Sequence, residues 1–70
     1  MEDYKIRMVK EYKDLKEKYK RLYKMLIKYE AETLDFELSC PVGLLYDQLD
    51  IMGQYIRILE IRAEIEKIIL

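Results

Sequence analysis

Two segments of the chain carry apolar side chains in a heptad repeat, and this repeat most constrains the fold. In the first segment the steps are 4, 3, 4, 3, 4 and 3, over Met8, Tyr12, Leu15, Tyr19, Leu22, Leu26 and Tyr29. In the second they are 4, 3, 4, 3 and 4, over Leu45, Leu49, Met52, Ile56, Leu59 and Ala63. Such spacing places the apolar side chains on one stripe of an α-helix. We therefore predict helices over about 3–31 and about 41–70, with a connection over about 32–40.

The two stripes mirror each other about the middle of the chain. Their paired positions sum to 71, as in Leu22 with Leu49 and Leu15 with Ile56. Antiparallel helices that pack along these stripes would produce this register. We predict an all-α, antiparallel two-helix hairpin that forms a single domain over residues 1–70. Within the connection, Leu34, Phe36 and Leu38 are expected to cover the open end of the hairpin, and Ser39 or Cys40 to cap the second helix.

The second predicted helix has more apolar surface than one partner helix can cover. An exposed stripe of this kind is a solubility liability in a monomer, and a 70-residue domain buries little core by itself. We therefore expect a helical-bundle homo-oligomer with Ile51, Tyr55, Ile58, Arg62, Ile65 and Ile69 at its interface. Gln48, Tyr55 and Arg62 recur at spacing seven; they either fix the register of the oligomer or line a pocket between subunits.

Composition argues against catalysis and against a metal or cofactor. The chain has no His and one cysteine, Cys40, so it cannot form a Ser–His or Cys–His pair or an intrachain disulfide. A zinc site would need unusual help from carboxylates. The sequence carries neither a recognisable signal peptide nor a run of some 18 apolar residues. We expect a cytoplasmic binding protein that is not an enzyme, with no metal, no cofactor and no membrane partner.

Charge is segregated along the chain. Residues 1–29 hold ten Lys/Arg against five acids, whereas residues 30–70 hold three against nine. Cations at the end of the first helix should lie near the N–H groups that begin the second, and such an arrangement binds anions. The candidate ligand-binding residues are Arg21, Tyr23, Lys24, Lys28, Ser39, Gly43 and Tyr46, with the tyrosines as stacking surfaces. The simpler alternative is that these cations only stabilise a helix C-terminus.

A resemblance narrows the functional expectation. The stretch from Arg7 to Lys16, RMVKEYKDLK, and the stretch from Leu44 to Leu59, LLYDQLDIMGQYIRIL, resemble small helical-hairpin proteins encoded by tailed phages and prophages. Some of these proteins are oligomeric sponges that sequester nucleotide second messengers of host immunity, including anti-CBASS proteins; others block a host protein by contact. The resemblance implies a phage protein that acts in the host cytoplasm as a homo-oligomeric nucleotide sponge. The alternatives are a protein-interaction module that inhibits or bridges a host or phage protein, and a binder of nucleic acid through the basic face of the first helix.

Overall fold

The computed structural model describes residues 3–70, which form two helices joined by a connection. Helix α1 spans Asp3–Glu30 and helix α2 spans Val42–Glu66. They pack against each other along their lengths in a molecule with dimensions of 45 × 18 × 16 Å. The predicted all-α hairpin is therefore confirmed.

The observed register agrees with the predicted one to within a residue. The hydroxyl of Tyr12 on α1 contacts the carboxylate of Glu60 on α2, and Met8 shares a buried cluster with Leu59 and Ala63. Gly53 lies against Tyr19, where a Cβ atom would stand 3.3 Å from the tyrosine Cε2. The mid-helix glycine thus allows the tyrosine ring to approach the α2 backbone closely.

The core lies where the two heptad stripes meet. Its buried members are Met8, Leu26, Ile56, Leu59, Ala63 and Ile68. Most of the remaining stripe positions are half-buried. Tyr29 is exposed, because α2 begins only at Val42 and offers little surface opposite it.

Both helices end in a turn with one residue in the left-handed region. After α1, Glu32 has φ 61°, and the Thr33 N–H donates to the carbonyl of Lys28 at 2.9 Å. After α2, Lys67 has φ 56°, and the Ile68 N–H donates to the carbonyl of Ala63 at 2.8 Å. These bonds satisfy carbonyls that a helix end would otherwise leave open.

Two predictions about the ends of the second helix are wrong. The helix stops at Glu66 and not at residue 70, because the turn at Lys67 folds Ile68 back into the buried cluster. The residue before its first turn is Pro41, and no side chain there caps the helix, so neither Ser39 nor Cys40 has the expected role.

The additional apolar surface predicted for α2 is exposed in the hairpin. Ile51, Tyr55, Ile58 and Ile65 are all exposed, although the Tyr55 hydroxyl reaches Glu11 on α1. Arg62 pairs with Glu66 on its own helix at 3.3 Å. Ile69 is an exception to the helical stripe, because it follows the end of α2 and is 90% exposed. Within residues 3–70, no helix is long and apolar enough to cross a membrane.

Candidate ligand-binding site

Three of the predicted site residues surround one surface cavity. Arg21, Lys24 and Lys28 recur at spacings of three and four, so they share a face of α1. They line a cavity of about 330 Å³ together with Met25, Leu34, Asp35 and Phe36. We call this cavity the cation pocket. Its walls come from the last three turns of α1 and from the connection.

The turn after α1 explains why the connection completes this pocket. With Glu32 in the left-handed region, the chain reverses direction, so residues 34–36 return alongside the helix they have just left. Leu34 and Met25 are half-buried and give the pocket an apolar base, whereas the Phe36 ring is 56% exposed. The geometry offers an aromatic face beside a group of cations.

The charges around the cation pocket suit an anion. Three cations face one carboxylate, that of Asp35, so the lining carries a net positive charge. Guanidinium and ammonium groups form charge-assisted hydrogen bonds to phosphate, and an exposed aromatic ring stacks on a base.

A larger cavity of about 700 Å³ opens on the other side of the connection. Its lining includes Glu30, Glu32 and Glu37, and none of its described lining residues is a cation. It also contains the half-buried Cys40. Despite the greater volume, three carboxylates oppose the entry of an anion.

A third cavity of about 440 Å³ lies between the helices near Tyr55. Its lining holds three cations and two acids: Lys10 pairs with Asp14 at 2.8 Å, and the Tyr55 hydroxyl donates to Glu11. The hydrogen bond from Lys10 lowers the pKa of Asp14 and raises that of Lys10. Because two acids offset its three cations, the lining of this groove carries less net positive charge than the cation pocket, where one acid accompanies three cations.

The other predicted site residues lie outside the cation pocket. Tyr23 stacks on Tyr19, with ring centroids 6.2 Å apart, and Tyr46 lies beside Glu30, whose hydrogen bond raises the pKa of the Tyr46 hydroxyl. Ser39 is exposed, and a Cβ built on Gly43 would meet no described atom within 4 Å. The cations thus face the connection, and the N-terminus of α2 does not contribute to the cavity.

Sequence reasoning missed the connection's part in this site. Leu34 and Phe36 were expected to cover the hairpin end, and Met25 and Asp35 were not singled out. The available signal was the apolar character of Leu34 and Phe36 in a segment too polar to form a core of its own. Their position against the cations depends on the turn at Glu32, which no glycine marks.

No three His, Cys, Asp or Glu side chains in the described part of the chain converge as metal ligands would. The fold defines a small all-helical hairpin protein with a cation-lined surface cavity. A family model described as Sequestin matches residues 2–65, so the chain belongs to the Sequestin family. The family name points to a sequestering protein, in agreement with the binding class expected from the sequence. Comparisons with curated proteins and with solved structures gave no match.

Proposed function

We propose that this protein is a phage-encoded, homo-oligomeric sponge that sequesters a nucleotide second messenger of host immunity in the host cytoplasm. It acts by binding and not by catalysis. The observation that carries the proposal is that Arg21, Lys24 and Lys28 line the same cavity as the exposed ring of Phe36. The Sequestin family name and the resemblance to phage hairpins support the same function.

The pocket matches the two chemical parts of a nucleotide. The phosphates would meet the side chains of Lys24, Lys28 and Arg21, and a base would stack on Phe36 over the apolar base formed by Met25 and Leu34. Asp35 at the rim would accept a hydrogen bond from an amino group or a ribose hydroxyl. The open shape of the site suits a ligand that is held on the surface of the protein.

Isothermal titration calorimetry against cyclic dinucleotides, cyclic trinucleotides and ADP-ribose derivatives tests the proposal. We expect one ligand class to bind at micromolar concentration or below, and inorganic phosphate alone to give no comparable heat. Replacing Lys24 and Lys28 together by Gln should weaken binding by at least ~10-fold, because each lost charge-assisted bond contributes on the order of 1 kcal/mol or more.

A matched control separates the pocket from general charge. Lys13 and Lys20 are exposed on the same helix and lie outside the three cavities, so Lys13→Gln with Lys20→Gln should leave binding nearly unchanged. Phe36→Ala should weaken binding more than Phe36→Tyr does. Absence of heat with every nucleotide would contradict the proposal.

Recovery of the bound ligand distinguishes a sponge from an enzyme. After denaturation of the complex, chromatography should return the nucleotide chemically unchanged. A cleaved or otherwise modified product would contradict sequestration.

A further inference from the structure

Two side chains of the connection line both of the cavities beside it. Leu34 and Phe36 belong to the cation pocket and also to the cavity of about 700 Å³ on the other side of the connection. We call the larger cavity the acidic cavity, because Glu30, Glu32 and Glu37 line it. The exposed ring of Phe36 therefore borders a group of cations and a group of carboxylates at the same time.

Two carboxylates of the acidic cavity are unpaired. Glu30 is not one of them, since it accepts a hydrogen bond from the hydroxyl of Tyr46. Glu32 and Glu37 are both exposed, and within residues 3–70 neither side chain forms an ion pair or a hydrogen bond. Glu37 directly follows Phe36 in the chain. A ligand that extends from the cation pocket past the Phe36 ring would meet these two carboxylates.

Carboxylates distinguish between nucleobases by the groups on the base edge. An ionised carboxylate only accepts hydrogen bonds. The amino groups of adenine, guanine and cytosine donate, whereas a carbonyl oxygen in the same place accepts. A carbonyl that faces a carboxylate loses hydrogen bonds to water and gains none in exchange. The acidic cavity therefore suits a base that presents an amino group.

We propose that the acidic cavity selects the base of the ligand, and that it favours nucleotides whose base carries an amino group. The phosphates lie in the cation pocket, the base stacks on Phe36, and its amino group donates to Glu37 or Glu32. This inference rests on the proposed function, because it adds the base contacts of the same ligand. It predicts that nucleotides of hypoxanthine and uracil bind weakly.

The opposite charges of the two cavities match the two ends of such a ligand. An amino-bearing nucleotide is anionic at its phosphates and presents N–H donors at its base. Three cations line one side of Phe36, and the described lining of the acidic cavity contains no cation. A ligand held by its phosphates alone would use only the cation pocket, and it would not be sensitive to the base.

Isothermal titration calorimetry with probes that differ in the amino group tests the inference. The comparisons are ADP-ribose with IDP-ribose, cyclic di-AMP and cyclic di-GMP with cyclic di-IMP, and cyclic tri-AMP with cyclic tri-IMP. Each hypoxanthine probe lacks the amino group and keeps the same phosphates and sugars. In the class that binds, we expect the hypoxanthine probe to bind ~10-fold more weakly, because it loses a hydrogen bond to a charged group.

A pair of substitutions assigns this preference to the acidic cavity. Glu32→Gln with Glu37→Gln should reduce the affinity ratio between the two probes to about 1, because a glutamine amide both donates and accepts. The ratio is measured because the loss of negative charge strengthens the binding of both probes alike. Glu17→Gln with Glu64→Gln is the matched control, since both residues are exposed and lie outside the three cavities. Circular dichroism should show the same helix content in all variants.

The outcomes separate this inference from the proposed function. Equal binding of amino and hypoxanthine probes, or binding confined to uracil nucleotides, would overturn the base preference and leave sequestration standing. A preference that persists in the Glu32 and Glu37 variant, or that is lost equally in the control, would overturn its assignment to the acidic cavity. Absence of heat with these probes and with the wider nucleotide panel contradicts the proposed function itself, and the base preference with it.

Discussion

The hydroxyl of Tyr12 on α1 donates a 2.7 Å hydrogen bond to the carboxylate of Glu60 on α2. The next residue along α1 makes the reciprocal contact, because Glu11 accepts a hydrogen bond from Tyr55 on α2. Adjacent residues leave a helix about 100° apart, so the two contacts lie on different flanks of the helix pair. A slip of one helix past the other by a turn would break both, and together they specify the register that the apolar stripes allow.

Replacing Tyr12 by Phe should reduce the free energy of unfolding by less than about 1 kcal/mol. The ring is retained, and only a solvent-accessible hydrogen bond to a charged group is lost. Urea denaturation followed by circular dichroism measures the change. Tyr23→Phe is the matched control, because the Tyr23 ring stacks on Tyr19 and should keep doing so without its hydroxyl. Equal losses in the two variants would contradict a role for the Glu60 contact.

Stability should fall as the pH rises through and above about 10. Hydrogen bonds to Glu60, Glu11 and Glu30 raise the pKa values of Tyr12, Tyr55 and Tyr46 respectively. A pKa that is higher in the folded state stabilises the fold below the unfolded value of about 10, and that contribution is lost as the pH passes the folded value. Tyrosinate absorbance in native and denatured protein gives the two titrations. In the native Tyr12→Phe protein, one fewer tyrosine should ionise above the pKa of the unfolded chain, so the absorbance change at high pH should be smaller by that amount.

Truncation of a buried leucine should be far more damaging than truncation of its neighbour. Leu26 is 1% exposed and Ile27 is 48% exposed, although they are adjacent on α1. Leu26→Ala should cost about 2–5 kcal/mol through lost burial and a cavity, whereas Ile27→Ala should cost well under 1 kcal/mol. Thermal and urea denaturation of the two variants measure the difference. Similar losses would mean that Leu26 is not part of the core.

Replacing Lys67 by Gly should stabilise the hairpin. An L-residue in the left-handed region costs about 1 kcal/mol that glycine avoids, and Lys67 has φ 56°. Lys67→Ala removes the same charge but keeps the Cβ, so it serves as the control and should not raise the melting temperature. A gain in the Ala variant equal to that in the Gly variant would assign the effect to charge.

The hairpin and its register could be predicted because both helices display their inward positions in the sequence. Heptad steps reveal which side chains face the partner helix, and the mirrored stripes reveal how the helices align. The helix ends were harder to predict, because Glu32 and Lys67 adopt the left-handed backbone conformation in which glycine is usually found. The cation pocket could be predicted from the sequence only in part. Spacing placed Arg21, Lys24 and Lys28 on one face, but the approach of Phe36 depends on the path of the connection after Glu32.

The position of the largest buried cluster has a consequence for folding kinetics. Met8, Leu59, Ala63 and Ile68 come together at the end of the hairpin farthest from the connection, so their contacts join residues near opposite ends of the chain. The loss of chain entropy on closing so long a loop is recovered only when these contacts form. We expect the two helices to close from the connection, where Leu26 is buried, with the distal cluster completed late. Changes at Met8 or Ala63 should then act mainly on the unfolding rate, whereas changes at Leu26 should slow folding itself.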